Sequence, residues 1–229
     1  MQPYIFPYIG YFQLINSVDK FIVYDDVNYM KQSWINRNSI LVNGKAFRFS
    51  VPLHKQSSFE KINKTLLIEK GYSEWADKLL KTIEINYKKS PSFHNVYPIL
   101  ENFFKSKNYY ISELALNSLK LVTEYIGITT EFVNSSEKYT NQDLTSQARI
   151  LDICLREKVD TYINTSGGTK LYSKSDFLER NIDLKFIISE EIAYKQFNSN
   201  FIPHLSIIDV LMFNDVSTIK NFLCRCKVF

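Results

Sequence analysis

The sequence predicts an α/β protein with a Rossmann-like, mainly parallel sheet and a helical insertion in the middle of the chain. Predicted strands and helices alternate near both ends of the chain, and the apolar run at residues 21–24 is typical of a buried parallel strand. Three helices follow one another between these ends. No repeat, low-complexity tract or linker divides the 229 residues. We therefore expect one domain over residues 1–229, with the insertion at residues 72–127.

The first part of the chain predicts a strand, a helix and a second strand. A short strand ends near Ile5, and a turn follows it. Apolar residues at helical spacing then predict a helix over residues 10–18. The apolar run at residues 21–24 forms the second strand and ends at Asp25. Each strand is therefore followed by a loop rich in polar and aromatic residues.

A β-hairpin is predicted at residues 40–51. Its two arms alternate apolar and polar residues, and Asn43-Gly44 lies between them. Asn-Gly is the preferred pair of a type I′ turn, because both central residues adopt a positive φ. Pro52 ends the second arm.

Three consecutive helices are predicted in the insertion. Apolar residues at helical spacing indicate one helix over residues 72–89 and another after Ser90-Pro91. The third extends from Ser112, which can cap it, to Gly127, which can end it.

The remainder of the chain returns to alternating strands and helices. We predict strands at residues 130–133, 161–164 and 184–188, and helices at residues 141–158, 206–213 and 216–223. This alternation supports the α/β assignment.

The charge of the chain is only mildly basic. Lys and Arg number 28 against 24 Asp and Glu, the formal net charge is +4, and no long run has one sign. A nucleic-acid groove or a membrane surface would require concentrated positive charge, so we expect neither partner. A few local cations suit a phosphorylated small molecule such as a nucleotide or nucleotide-sugar. No apolar run reaches the ~18 residues of a membrane span, and we expect a cytoplasmic protein.

The three cysteines do not indicate a metal site. Cys154 lies among apolar residues of a predicted helix and is expected to be a buried packing residue. Cys224 and Cys226 are not accompanied by a second Cys or His pair. We assign no metal, and the sequence identifies no cofactor.

Three loops are expected at the edge of the sheet where open α/β proteins bind ligands, beyond the carboxyl ends of the strands. They are residues 7–11, Asp25-Asp26 and residues 166–169. Gly10 at a helix start would leave backbone N–H groups free to face an anion, and the Gly-Gly pair of the third loop offers the same possibility. The alternative is that these glycines serve only the turns.

The two carboxylates are expected to have different roles. Because adjacent side chains of an extended strand lie on opposite faces, Asp25 and Asp26 cannot both point into one pocket, so one binds ligand while the other pairs or caps. Lys31 and Arg37 are close enough in sequence to neutralise a carboxylate or hold a phosphate. Surface ion pairing is the alternative for each of these residues.

His54 is the third catalytic candidate beside Asp25 and Asp26, because it follows a predicted strand end. The chain contains no Ser-His-Asp or Cys-His grouping that stands out. The full set expected to contact substrate is Gln2, Tyr8, Gly10, Tyr11, Lys31, Trp34, Asn36, Arg37, Gly167 and Gly168.

Long motifs of unusual composition are spread over nearly the whole chain. They include Gln2-Pro-Tyr-Ile-Phe-Pro-Tyr-Ile-Gly-Tyr11, Tyr24-Asp-Asp-Val27, Trp34-Ile-Asn-Arg-Asn38 and Ile163-Asn-Thr-Ser-Gly-Gly168. In these motifs the chain resembles the WbqC-like family of bacterial proteins. The resemblance implies a role in making or decorating an activated sugar for surface polysaccharide such as the O-antigen of lipopolysaccharide. It also implies a short apolar strand before Gln2. Because Met1 alone precedes Gln2 here, we expect that strand to be shortened or the start to be truncated.

A more distant likeness concerns Tyr8-Ile-Gly-Tyr11. This segment has the spacing of the His-x-Gly-His signature of nucleotidyltransferases and adenylate-forming ligases, which also lies between a first strand and its helix. Both histidines are tyrosines here. The change removes the cationic phosphate partners, so the likeness applies to the position of the site and leaves its chemistry in doubt.

Three functions are compatible with the sequence. The leading one is a transferase that adds an acyl or aminoacyl group to a nucleotide-linked amino sugar. The second is an ATP-dependent ligase or nucleotidyltransferase that uses the turn at Gly10 to hold phosphate. The third is a non-catalytic module that binds a nucleotide-sugar. The sequence does not define the oligomeric state.

Overall fold

A computed structural model of the protein describes residues 1–197 and 200–229. In these ranges the helices are α1 (Ile9–Asn16), α2 (Tyr72–Tyr87), α3 (Phe93–Lys105), α4 (Ile111–Ile126), α5 (Ser146–Glu157), α6 (Lys174–Leu178), α7 (Ile207–Phe213) and α8 (Val216–Leu223). The strands are β1 (Lys20–Ile22), β2 (Arg37–Val42), β3 (Lys45–Ser50), β4 (Glu131–Val133), β5 (Thr161–Thr165), β6 (Asp183–Ser189) and β7 (Cys226–Val228). Short 3₁₀ helices lie at Ile62–Lys64, Ser136–Tyr139 and Ser166–Gly168.

The α/β class is confirmed, but the described strands form three small sheets instead of one continuous sheet. β1 pairs with β4 in parallel, with Phe21 opposite Phe132. β5 pairs with β6 in parallel, and β7 joins the other side of β6 in antiparallel orientation. β2 and β3 form the antiparallel hairpin. Among the strands that the structure describes, parallel pairing is thus limited to β1 with β4 and β5 with β6.

A cavity of about 480 Å³ lies between β1 and β5 and separates the two sheets that contain parallel strands. At one end of this cavity the Met1 nitrogen donates a hydrogen bond to the carbonyl of Ile22 (2.9 Å), and the Tyr24 amide donates to the carbonyl of Met1 (2.8 Å). Residues 1–8 contain no strand, so the prediction of a short strand ending near Ile5 is wrong.

The hairpin is confirmed, and it begins three residues earlier than the sequence predicts. Asn43 (φ 49°) and Gly44 (φ 73°) occupy its turn, and both have the positive φ of a type I′ turn.

The three consecutive helices are confirmed as α2, α3 and α4. Gly127 ends α4 with a φ of 82°, as predicted. Ser112 is not the cap, because α4 begins at Ile111 and the Glu113 carboxylate accepts a hydrogen bond from the Tyr110 amide (3.3 Å). Apolar residues of these helices belong to the same core as those of α1 and the hairpin.

The second half of the chain differs from the prediction in three places. α5 begins at Ser146 instead of residue 141, because the Asn141 side chain accepts a hydrogen bond from Arg149 and donates one to Asp152, and residues 141–144 form a turn. Helix α6 and strand β7 were not predicted. β7 is three residues long and depends on its pairing with β6, which local sequence does not reveal.

The turn after Met1 is held in an unusual conformation by distant residues. Phe6 is fully buried and has a φ of 40°, which is rare for a residue with a side chain. Its amide donates to Ser118 Oγ (3.1 Å). Its carbonyl accepts from Asn38 Nδ2 (2.5 Å) and Ser206 Oγ (2.7 Å). These contacts fix the direction in which the chain enters α1.

Candidate functional site

The loops that follow β1 and β4 come together at the carboxyl ends of these two parallel strands. Asp25 and Asp26 follow β1, Ser135 and Ser136 follow β4, and Gly168 follows β5. This is the edge where ligands bind in open α/β sheets. Ser135 and Ser136 donate hydrogen bonds to Asp25 and Asp26, respectively, so the loop after β4 contributes directly to this site.

Asp26 forms a buried ion pair with Arg149. Arg149 Nη2 lies 2.5 Å from Asp26 Oδ2, and the side chains are 3% and 0% exposed. The carboxylate also accepts hydrogen bonds from Gln142 Nε2 (2.9 Å) and Ser136 Oγ. Burial alone would raise the pKa of Asp26, but the hydrogen bonds from Arg149, Ser136 and Gln142 outweigh it and lower the pKa. Asp26 is therefore an ionised, fully partnered carboxylate.

Arg149 is held in place from two further directions. Its Nε donates to Asn141 Oδ1 (2.9 Å), and its guanidinium carbon lies 4.9 Å from the centre of the Tyr24 ring. The residue projects from the first turn of α5, so the helix, the end of β1 and the loop after β4 all contribute to one polar cluster. Because Arg149 is buried and each of its three nitrogens has a partner within the protein, its charge serves mainly to fix Asp26 and Tyr24.

Asp25 has a different environment from its neighbour. It is 3% exposed, and its Oδ1 accepts a hydrogen bond from Ser135 Oγ (2.6 Å). Burial raises the pKa of Asp25 to about 6, although the Ser135 hydrogen bond opposes the rise. As the alternation of side chains requires, the two carboxylates face different partners. Asp25 is the one whose charge can change near neutral pH.

Aromatic side chains connect this cluster to the loop after β5. Burial is the main cause that raises the pKa of Tyr24, and the nearby Tyr172 phenol adds to the rise. The Tyr172 and Tyr162 rings meet edge to face at 5.9 Å. A Cβ on Gly168 would lie 3.1 Å from the Asn164 amide and 3.3 Å from the Tyr172 ring. The small residue at position 168 therefore allows close packing here, without a positive φ.

Tyr11 and Gly10 of the N-terminal motif have structural roles. Tyr11 is buried, and its hydroxyl donates to the carbonyl of Gln2 (2.6 Å). Gly10 has no positive φ, and a Cβ there would lie 2.4 Å from the Tyr8 ring, which covers it. Tyr8 is 39% exposed and is the member of this group that a ligand can reach. The close contact with the Tyr8 ring is therefore sufficient to explain why position 10 is a glycine.

The motif at residues 34–38 divides into buried and exposed members. Asn36 is buried and bonds Tyr29 Oη (2.8 Å) and the carbonyl of Val51 (2.8 Å). The guanidinium of Arg37 lies 5.6 Å from the centre of the Trp34 ring, which is 48% exposed. Arg37 Nε is buried and has no hydrogen-bond partner among the residues that the structure describes. Lys31 is exposed and is in no ion pair within the described ranges.

His54 lies apart from the carboxylates. It lines a second cavity, of about 570 Å³, together with residues of α2 and α3 such as Tyr72 and Phe104. The structure gives no contact between His54 and either Asp25 or Asp26 in the part of the chain that it describes. Their cooperation in catalysis is therefore not supported by geometry.

Sequence reasoning missed Arg149 and the serines that bond the two carboxylates. Arg149 lies four residues before the buried Ile153 on the same face of α5. A cation at a buried helical position is a signal that it pairs with a carboxylate. Ser135 and Ser136 gave no such signal, because their role depends on the pairing of β4 with β1.

Residues 1–197 and 200–229 contain neither a cluster of metal-ligating side chains nor a membrane-spanning helix. No group of three or more His, Cys, Asp or Glu side chains is placed to hold a metal ion. No helix there combines the length and the apolar character needed to span a membrane.

Comparison with known proteins gives a family but no established activity. The chain is 29% identical over 224 residues to the uncharacterized protein Rv1507c of Mycobacterium tuberculosis, and the match covers 96% of this chain and 94% of that protein. No solved structure matches the chain. The model of the WbqC-like protein family matches residues 2–221, which include the carboxylate cluster and the loop after β5. The chain therefore belongs to the WbqC-like protein family.

Proposed function

We propose that this protein is a transferase that adds an acyl or aminoacyl group to the amino group of a nucleotide-linked sugar, in the synthesis of surface polysaccharide such as O-antigen. The observation that carries the proposal is the contrast between Asp25 and Asp26. Asp26 is paired with Arg149 whereas Asp25 is buried beside Ser135, and environments that move two neighbouring carboxyl pKa values apart support an acid-base role for one of them.

Asp25 is the proposed general base. A carboxyl group with a pKa of about 6 accepts a proton efficiently near neutral pH. The amine of the sugar attacks the carbonyl carbon of an activated acyl donor, a C–N bond forms, and the bond to the leaving group breaks. Asp25 takes the proton that the nitrogen loses and returns it to the leaving group. Asp26, fixed by Arg149, holds the end of β1 in position.

Other residues supply places for the rest of the substrate. Arg37, with its unpartnered Nε, offers a hydrogen-bond donor to phosphate, and the neighbouring Trp34 ring offers a surface for a base or sugar. The tyrosines near Arg149 offer a second such surface at the end of β5. A cytoplasmic location accords with a nucleotide-sugar substrate. His54 stays outside this scheme because it lines another cavity.

The experiment that tests the proposal begins with a thermal-shift panel of nucleotides, nucleotide-linked amino sugars and acyl thioesters, since a ligand that binds only the native state raises Tm. Hits are then incubated in pairs and the products are identified by mass spectrometry. We expect a nucleotide-sugar hit and an N-acylated product with the parent protein. Asp25→Asn should bind the sugar nucleotide and form no product. Asp183→Asn, at the exposed first residue of β6, should have the activity of the parent protein.

Two other outcomes would replace the proposal. Stabilisation by ATP with magnesium alone would indicate a ligase or nucleotidyltransferase. Binding of a nucleotide-sugar without turnover with any activated donor would indicate a non-catalytic binding module.

A further inference from the structure

Positive charge is concentrated in one segment of the chain. Residues 27–64 contain seven Lys and Arg residues and a single acidic residue, Glu60, whereas the rest of the chain has 21 Lys and Arg against 23 Asp and Glu. The net positive charge of the chain is therefore carried by this segment. The imbalance forms no run of consecutive cations, because the seven residues are spread along the segment as Lys31, Arg37, Lys45, Arg48, Lys55, Lys61 and Lys64.

A short antiparallel contact joins the two loops of this segment, one before β2 and the other after β3. Asn28 pairs with Lys61 in an isolated bridge. Next to the bridge, the Tyr29 amide donates a hydrogen bond to the carbonyl of Glu60 (2.8 Å). The two loops therefore lie side by side, although β2 and β3 separate them in sequence.

Large apolar side chains project from both loops just beyond this contact. Phe59 is 93% exposed and Met30 is 60% exposed. Each directly follows the bonded residues on its own loop, so the two side chains lie near each other. Met30 begins a turn that the Ser33 amide closes by donating to the Met30 carbonyl (3.2 Å), and the half-exposed Trp34 comes next. Exposed apolar residues grouped in this way mark a surface that contacts another body.

The lysines beside these apolar residues are largely free of acidic partners. Lys64 pairs with Glu137 (3.3 Å). Lys31, Lys55 and Lys61 form no ion pair within residues 1–197 and 200–229, and Lys31 and Lys55 are exposed. The surface therefore offers apolar side chains surrounded by cations that an anionic partner can attract.

An anionic lipid surface fits these features better than a nucleic acid or another protein does. Apolar side chains beside Lys are the usual composition of segments that lie in the membrane interface, and lipid accommodates side chains of any shape that project from a turn. Single-stranded nucleic acid stacks its bases on aromatic platforms along a basic groove, and Met30 offers no such platform.

We propose that residues 28–34 and 54–61 form a membrane-docking surface. Phe59 and Met30 enter the headgroup region of an anionic phospholipid bilayer, and the neighbouring lysines contact the lipid phosphates. This peripheral contact requires no membrane-spanning helix and is independent of the proposed transferase activity. It departs from the sequence expectation of no membrane partner, because the fold brings together cations that are scattered along the chain.

Co-sedimentation with vesicles tests the proposal. The protein is mixed with vesicles of phosphatidylcholine alone or of equal parts of phosphatidylcholine and phosphatidylglycerol. We expect partition onto the anionic vesicles to be about tenfold stronger or more, and to be lost at high salt. Met30→Ser with Phe59→Ser should weaken this partition about tenfold or more, because two apolar side chains no longer leave water on binding. The control is Ile85→Ser with Leu178→Ser, which removes side chains of 59% and 71% exposure elsewhere and should partition as the parent does.

Two further measurements separate docking from loss of folding. All four substituted side chains are exposed, so both double variants should keep the Tm of the parent. In the parent, anionic vesicles should shift the fluorescence of Trp34 to shorter wavelength, and Trp34→Phe should remove the shift. Equal partition onto the two kinds of vesicle, or unchanged partition of the Met30 and Phe59 variant, would overturn the proposal. Binding of RNA or polyglutamate without partition onto vesicles would also overturn it and would assign the surface to a polyanion.

Discussion

The guanidinium of Arg149 and the carboxylate of Asp26 form an ion pair that joins α5 to the end of β1, 123 residues apart in sequence. Both side chains are almost completely buried, and each has additional hydrogen-bond partners. The pair therefore fixes the position of the loop that carries Asp25.

Removal of one partner of this ion pair should be strongly destabilising. Arg149→Met leaves Asp26 buried without a counter-charge, and we expect a loss of about 3–5 kcal/mol in the free energy of unfolding, measured by urea denaturation. The double variant Arg149→Met with Asp26→Leu should recover part of that loss, because no unpaired charge stays in the interior. Arg180→Met, in the exposed turn after α6, is the control and should change stability little. Additive losses in the double variant would contradict the pairing.

Asp25 should make the protein less stable as the pH rises. Its folded-state pKa of about 6 lies above the ordinary value of 3.8, so the folded state binds the proton more tightly than the unfolded state does. Stability contributed by the protonated form is present below about pH 4 and is lost as the pH rises through about 6. Asp25→Asn, which stays neutral, should gain about 2–3 kcal/mol relative to the parent between pH 4 and pH 7. A constant difference across this range, measured by thermal unfolding, would show that Asp25 is not perturbed.

The contact between Gly10 and Tyr8 separates a packing role from a phosphate-binding role. A Cβ at position 10 meets the far end of the Tyr8 ring, so Gly10→Ala should displace the ring and lower stability by about 1 kcal/mol. In a Tyr8→Ala background the same change should be neutral or stabilising, because Ala is the better helix former. If backbone amides near Gly10 also hold phosphate, Gly10→Val should reduce nucleotide affinity in both backgrounds. Affinity that is unchanged in a folded Gly10→Val protein would exclude that role.

Arg37 should contribute to ligand binding more than to folding. We expect Arg37→Ala to weaken nucleotide-sugar binding by on the order of 1.5–3 kcal/mol, the loss of one hydrogen bond to a charged group, as measured by calorimetry. Arg48→Ala, on the exposed face of the same hairpin, is the matched control. Equal affinities for the two variants would place the phosphate elsewhere.

The parts of the fold that depend on local sequence are those that the sequence predicts well. Asn43-Gly44 defines the hairpin turn and Gly127 ends α4, because a positive φ at these positions is encoded by the residue itself. The separation of the sheets and the short strand β7 depend on partners far along the chain, so periodicity does not reveal them.

The same distinction applies to the site. Asp25 and Asp26 are visible in the sequence because they end an apolar strand. Arg149, which lowers the pKa of Asp26, and Ser135, which bonds Asp25, come from elements more than a hundred residues away. Asn36 and Tyr11 are prominent in the motifs, yet they are buried and hold the fold together.

The strained turn at Phe6 has a consequence for the order of events during synthesis. A positive φ at such a residue is unfavourable by about 1–3 kcal/mol and persists only when surrounding contacts impose it. Two of those contacts come from Ser118 and Ser206, at separations of 112 and 200 residues. Most of the chain must therefore be synthesised before the contacts that hold Phe6 can form. Although they are made first, the N-terminal residues therefore complete their native contacts only after residue 206 has been synthesised.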